Sequence, residues 1–215
     1  MDKKVPEVVI KRLPRYYRYL GELQSQGIDR ISSNTLSQIM GVTASQIRQD
    51  LNYFGGFGQR GYGYNVKSLI EEIGNILGLN DKDTMIIVGA GNLGRALANH
   101  TSFEKRGFKL VGIFDNDERV IGSSIRGIEI SPSEELSGFV RENNVDIAIL
   151  AVPASAANDT AELLVRSGIR GIVNFSYSEL DAADSIPVEN VHLSDTLMTM
   201  AYRIKEHTET TESEE

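Results

Sequence analysis

The chain has no cysteine among its 215 residues, so disulfides, thiolate metal sites and a cysteine nucleophile are all excluded. Its apolar runs are short, and none approaches the ~20 residues of a membrane-spanning helix. The opening residues, Met1-Asp-Lys-Lys-Val-Pro6, lack the apolar centre of a secretory signal, so the expected location is cytoplasmic. Histidine is scarce too: His100, His192 and His207 are the whole complement. No Ser-His-Asp set, no metal-ligand spacing and no Tyr-x-x-x-Lys pair can be assembled from what is present. These absences favour a binding protein over an enzyme.

Acidic residues outnumber basic ones overall, giving a net charge of −8, but the excess is unevenly distributed. Residues 1–79 carry ten Lys/Arg against seven Asp/Glu, whereas residues 80–215 carry twelve against twenty-three. A basic module joined to an acidic ligand domain has this asymmetry. The expected division is therefore 1–79, 80–206, and an acidic, disordered tail over 207–215.

In the first module, Leu13, Tyr16, Tyr17, Leu20 and Leu23 recur at helical spacing within residues 8–26, with Pro14 in a first turn or at a kink. Ser32-Ser33 offer N-caps for a short helix that ends at Gly41. Thr43-Ala-Ser-Gln46 is a capping box for a third helix. Helix, glycine turn, helix is the spacing of a helix-turn-helix. Gly55 to Tyr64 alternates glycines and aromatics around Arg60, which predicts a hairpin or wing. Asn65 caps a fourth helix over 66–77. On the third helix, Arg48 can bind guanine bidentately and Gln49 can pair with adenine. Arg60 is placed to enter a minor groove. Arg12, Arg15, Arg18, Tyr16 and Ser45 are candidate phosphate contacts. A solvated helix face is the bland alternative for Arg48 alone; with the wing and the spacing, double-stranded DNA is the expected partner.

The second module alternates apolar strands with helices, as a doubly wound parallel sheet does. Strands are expected at 85–88, 110–114, 147–151 and 172–175, and helices at 92–104, 132–143, 155–167 and 194–206. A capping box, Ser131-Pro-Ser-Glu134, marks the start of the second of these helices. Gly89-Ala90-Gly91-Asn92-Leu93-Gly94 follows the first strand directly, and Asp115 ends the next one. Gly89 permits a tight turn, Gly91 lets backbone approach a pyrophosphate, and Gly94 allows close packing. The helix opening at Asn92 and Leu93 directs free N–H groups at the anion. Asp115 can accept hydrogen bonds from ribose hydroxyls and repels a 2′-phosphate, favouring NAD(H) over NADP(H). A solvated turn acid remains the alternative there. Ala151-Val152-Pro153 closes the third strand with apolar atoms suited to a flat, neutral dihydronicotinamide; Pro153 as a plain helix start stands beside that reading.

Together these residues resemble the Rex family of redox-sensing transcriptional repressors. The similarity spans roughly residues 5–206. It is carried by Arg12-Leu-Pro-Arg-Tyr-Tyr-Arg-Tyr-Leu20, by the long string from Ile47 to Tyr64, by the GAGNLG turn, by Asp115 and by Gly171-Ile-Val-Asn-Phe175. The resemblance implies a winged-helix domain joined to a Rossmann domain, a homodimer with exchanged C-terminal helices, and operator DNA released when NADH rises against NAD+. The chain departs from the pattern at Gln49, where a basic residue is usual. It departs again at His100 and His192, where some members have a Tyr and an Asp linked to the NADH switch. Two other readings remain open: an NAD-dependent dehydrogenase, and a CoA- or nucleotide-binding domain of the succinyl-CoA-ligase type.

Overall fold

The computed structural model describes residues 5–55, 58–59 and 62–212. The chain divides into two units, Met1–Asp81 and Lys82–Glu215, two residues later than the charge asymmetry placed the boundary.

In the first unit the expected opening helix is two, α1 (Glu7–Ile10) and α2 (Leu13–Ser25), with Pro14 in the first turn of the second. β1 (Arg30–Ile31) follows, then α3 (Ser33–Met40), capped by the Ser32 hydroxyl on the Thr35 N–H and ended by Gly41 at φ 64°. Left-handed backbone at that position is what glycine supplies without strain. α4 (Ala44–Asn52) starts at Thr43, whose hydroxyl accepts from the Gln46 N–H. Only half of the capping box forms, because the Gln46 amide reaches forward to Asp50 instead of back to Thr43.

The wing is present as β2 (Gly58–Gln59) and β3 (Gly63–Asn65), paired antiparallel in a three-stranded sheet of order β1-β3-β2. Its tip, with Arg60, lies outside the described residues. Asn65 then caps α5 (Val66–Ile76) through the Ser68 N–H. Leu13, Tyr16 and Leu20 of α2 share one apolar core with Leu36, Ile47, Leu51, Val66, Leu69 and Ile73. Burial of each such aliphatic side chain stabilises the unit by roughly 1.5–3 kcal/mol.

The second unit runs β4 (Thr84–Val88), α6 (Asn92–Ala98), β5 (Lys109–Asp115), β6 (Ser124–Ile125), β7 (Ile128–Pro132), α7 (Leu136–Asn143), β8 (Ile147–Leu150), α8 (Ala154–Ser167), β9 (Gly171–Asn174), β10 (Val188–Asn190) and α9 (Leu193–Glu212). The sheet order is β10-β9-β8-β4-β5-β7-β6. Every pairing is parallel except the β6–β7 hairpin at one edge. Both faces are covered. Ile86 and Val88 point to the side of α7 and α8, while Met85 and Ile87 pack with Ala98 of α6 on the other. Double coverage is why β4 is apolar at successive positions rather than alternating.

Four expectations are corrected. The helix expected over 92–104 ends at Ala98 and gives way to turns and a short 3-10 segment, Glu104–Arg106. The capping box at Ser131 does not form: β7 extends to Pro132, with Ser131 paired to Phe114, so its backbone belongs to the sheet. A 3-10 turn, Ser133–Glu135, precedes α7 instead. β10 had no counterpart in the sequence reading. Finally, α9 continues to Glu212, through most of the tail expected to be disordered. Once a helix is nucleated, each further residue adds a hydrogen bond at little cost, so its end is set by more than composition.

Candidate functional site

Two surfaces, one in each unit, gather the residues that carry chemistry. The larger is a cleft of about 610 Å³ at the carboxyl edge of the parallel sheet, where open α/β sheets bind ligands. That volume suits a small molecule of dinucleotide class.

The glycine turn forms the floor of this cleft, and each glycine has a distinct steric reason. Gly89 has φ 101°, and a Cβ there would stand 2.5 Å from the Ala151 carbonyl oxygen. At Gly94 a Cβ would lie 1.8 Å from the Gly89 oxygen, so the helix can approach the turn only without a side chain. Gly91 is different, because a Cβ there meets nothing within 4 Å. Its openness faces the cleft, which is the space a pyrophosphate needs if backbone is to approach it. Arg95 Nε holds the turn from behind, donating to the Ala90 carbonyl at 2.9 Å.

Asp115 has a structural part in the turn. One carboxylate oxygen accepts the Ala90 N–H, and the other accepts the Asp117 N–H at 2.8 Å. The carboxylate thus ties the glycine turn to the end of β5 while still lining the cleft. Beside it, Asp117 is held down to about 2 by hydrogen bonding from Arg119, and the two form an ion pair at the rim of the cleft.

The structure brings Gly89, Gly91, Leu93, Asp115, Ala151, Val152 and Pro153 together on the cleft wall. Ala90 is buried beneath it, Gly94 packs against the turn, and Asn92 opens α6 on the exposed side. Sequence reading missed Asn116, Ser133 and Thr160, and also Phe175, Ser176 and Tyr177 after β9. The last three follow from the rule that ligands lie beyond the carboxyl ends of the strands, applied one strand further along. His100 does not line the cleft; it contacts Ser102 at 2.6 Å and the edge of Phe103. His192 stacks on Tyr177, with ring centroids 6.0 Å apart and planes at 18°.

The second surface is the outer face of α4. Ser45, Arg48 and Gln49 are exposed and line a groove of about 510 Å³ with Asn52 and Tyr53, two residues the sequence reading did not single out. Arg48 is steadied by Ser33 of α3, whose hydroxyl accepts from Nη1 at 3.0 Å. Arg15 and Arg18 are exposed on α2, both against the ring of Tyr19.

Tyr16 and Arg12 depart from expectation. Tyr16 is fully buried and its hydroxyl donates to Asp50 at 2.9 Å, so it has no surface to offer a phosphate. Arg12 commits Nε and Nη2 to the same carboxylate, both at 2.7 Å, and its side chain is 23% exposed. Its place is that of a strut between α2 and α4. Asp50, itself 0% exposed, also accepts from Gln46. Burial pushes its carboxyl up, but the bonds from Arg12, Gln46 and Tyr16 outweigh burial and hold it below the ordinary range. A buried carboxylate is tolerated only when its lone pairs are so engaged. The apolar spacing of Tyr16 was the available signal for its burial.

Comparison with known proteins covers both surfaces. Residues 4–52 match a family model described as "Putative DNA-binding protein N-terminus", and residues 80–177 match the "CoA binding domain". The redox-sensing transcriptional repressor Rex of Thermoanaerobacter pseudethanolicus is 55% identical over 203 residues, 94% of this chain and 91% of that one. Rex of Clostridium perfringens strain SM101 is 55% identical over 94% of this chain and 96% of its own. Among solved structures, RSP in complex with β-NAD+ and operator DNA superposes with a TM-score of 0.90 at 52% identity, covering 98% of this chain and 97% of that one. RSP in complex with β-NADH matches at the same TM-score with 50% identity, covering 98% and 99%. Identity above half, sustained across both units and nearly the full length of each relative, places this chain in the Rex family of redox-sensing transcriptional repressors.

Proposed function

We propose that this chain binds operator DNA through the exposed face of α4 and releases it when NADH fills the cleft of the second unit. The observation that carries the reading is the division of chemistry between the two units. One presents Arg48 and Gln49 on an accessible helix beside a glycine wing. The other builds a glycine-turn cleft with an acid at one end and the apolar Ala151, Val152 and Pro153 further along. RSP, at half identity, has been solved with NADH and with NAD+ on operator DNA, which supports assigning the same ligands here.

Gly89, Gly91, Asn92, Leu93 and Asp115 would hold the pyrophosphate and ribose. Ala151, Val152 and Pro153 would receive the nicotinamide, and its neutral reduced form enters apolar surroundings at lower cost than the cationic one. The bound dinucleotide supplies a redox-dependent charge; this chain supplies orientation. Arg15, Ser45, Arg48, Gln49 and Arg60 form the proposed DNA contact, with Arg12 supporting α4 from within.

The assembly is proposed to be a homodimer joined through α9. Leu193, Leu197, Met200 and Ile204 repeat at spacings of four, three and four on that helix, and each is at least half exposed or nearly so, from 49 to 70%. Such a seam is what helix exchange between two copies would bury. Two recognition helices related by a two-fold axis would then read two half-sites. No described helix is long and apolar enough to cross a membrane, and the cytoplasm is the proposed location, since chromosome and dinucleotide pool meet there.

The test is an operator gel shift titrated with NADH, together with NADH binding measured with and without operator. Linkage requires each ligand to weaken the other by one common factor. Equal NADH affinity in both conditions would falsify the switch. Because a CoA-binding model covers the same unit, CoA belongs in the titration, and displacement of NADH by CoA would favour that ligand class instead.

A further inference from the structure

One wall of the cleft is a stretch that belongs to no strand or helix. Phe175, Ser176 and Tyr177 follow β9, and the Phe175 N–H still reaches the Leu150 carbonyl at 2.9 Å. Parallel register sets Asn174 beside Leu150, so this stretch stands level with Ala151, Val152 and Pro153, the residues given above to the nicotinamide. A wall made of loop is costly to use, because every unfixed side chain must be ordered when a ligand arrives.

A single buried amide fixes this one. Asn174, the last residue of β9, is fully buried. Its Oδ1 accepts from the Ser176 N–H at 3.0 Å and from the Ser176 hydroxyl at 2.7 Å. Its Nδ2 donates to the Ser178 carbonyl and to Asn190 Oδ1, each at 2.8 Å. Two N–H donors and two lone pairs are all that an asparagine amide has, and all four are used. The first pair of bonds folds the chain back at Ser176; the second holds Ser178 and ties the bend to β10. The backbone closes at the same point, where the Val191 N–H donates to the Asn174 carbonyl at 2.8 Å. Ser176 and Ser178 flank Tyr177, whose ring is left 72% exposed on the cleft wall.

We propose that Asn174 is a positioning residue of the cleft: by pinning Ser176 and Ser178 it presents Phe175 and Tyr177, already ordered, to the nicotinamide half of a dinucleotide. The inference rests on the dinucleotide reading given above. Asn174 is not itself on the cleft wall and acts only through those neighbours. Without its amide, the Ser176 N–H and hydroxyl, the Ser178 carbonyl and the Asn190 side chain must find other partners, and the bend between them loosens. Both redox forms of the nicotinamide meet the same loosened wall. ADP-ribose, which lacks that ring, ends short of it.

The experiment measures Kd for NADH, NAD+ and ADP-ribose in the full-length wild type, Asn174→Ala and Asn190→Ala, with Tm recorded for each. Asn174→Ala should weaken NADH and NAD+ alike by about five- to tenfold, the cost of ordering two side chains on binding, and leave ADP-ribose within about twofold. Asn190 is exposed on β10 and lines no part of the cleft, so Asn190→Ala tests the same network at a site tolerant of change. It removes one of the four bonds and should weaken both dinucleotides by about two- to threefold. A purely structural Asn174 lowers Tm and moves all three ligands equally or not at all; either pattern overturns the proposal. Should Asn174→Ala fail to fold, Asn190→Ala decides, and unchanged affinity for all three ligands there overturns it as well. ADP-ribose that binds wild type as tightly as NADH does removes the wall from ligand contact and has the same consequence. Wild type that binds neither NADH nor ADP-ribose instead defeats the dinucleotide reading itself.

Discussion

Arg12 and Asp50 are joined by two hydrogen bonds of 2.7 Å across 38 residues of sequence, and through them α2 carries the helix that presents Arg48. Arg12→Ala strips the main partner from a fully buried carboxylate. It should cost about 3 kcal/mol, near the lower end for breaking a buried pair because the arginine still reaches solvent. The measurement is thermal or denaturant unfolding of the full chain. A loss below 0.5 kcal/mol would return Arg12 to the surface role first expected of it.

The same carboxylate sets an acid limit. Asp50 is held below its ordinary value in the fold, so its contribution is complete above the unfolded carboxylate range, near pH 4, and is lost as pH falls below it. Tm followed from pH 6 to pH 3 should therefore fall more steeply in wild type than in Asp50→Asn, whose neutral side chain does not titrate. Parallel curves would remove Asp50 from the acid response.

Gly91 and Gly94 should separate binding from folding. A methyl at Gly94 would lie 1.8 Å from the Gly89 oxygen, so Gly94→Ala must displace α6 or the turn and lower Tm. A methyl at Gly91 meets no protein atom within 4 Å, so Gly91→Ala should keep the wild-type Tm and lose NADH affinity, because the methyl occupies ligand space. Unchanged NADH affinity in Gly91→Ala is the result that refutes pyrophosphate binding at this turn.

Asp115→Asn removes the charge and also turns an NH2 toward one of the two backbone N–H groups, of Ala90 and Asp117, that the carboxylate accepts. NADH affinity should fall, while NADPH, whose 2′-phosphate the Asp115 carboxylate should repel, should lose less or gain. Calorimetry with both dinucleotides reads the ratio. If discrimination against the 2′-phosphate is untouched, the repulsion comes from another group.

Arg48→Ala should weaken operator binding by roughly 1–3 kcal/mol and relax preference at one base position, without altering affinity for NADH. Competition gel shifts against single-position operator variants test this directly. A uniform loss across all variants would make Arg48 a phosphate contact.

Much of this protein was legible where a few adjacent residues decide the backbone. Ser32, Thr43 and Asn65 cap the helices they were expected to cap, because an N-cap needs only a side-chain oxygen and an N–H two or three residues on. The glycine turn and Asp115 were legible for the same reason, being one strand, one turn and the end of the next strand. The failures share a cause. Ser131 had the residues of a capping box, yet pairing with Phe114 drew it into β7. Tyr16 and Arg12 had polar tips suited to phosphate, yet a carboxylate far along the chain claimed both.

From residues alone came the two modules, their order, the class of ligand each would take and most of the residues proposed to touch it. Those follow from local rules, because steric freedom at glycine, caps and strand periodicity act over a handful of positions. Which polar groups stay at the surface, and which are drawn inside, was decided only when distant segments met. Partners such as Asp50 for Arg12, or His192 for Tyr177, are neighbours in space alone, and no short-range pattern encodes that encounter.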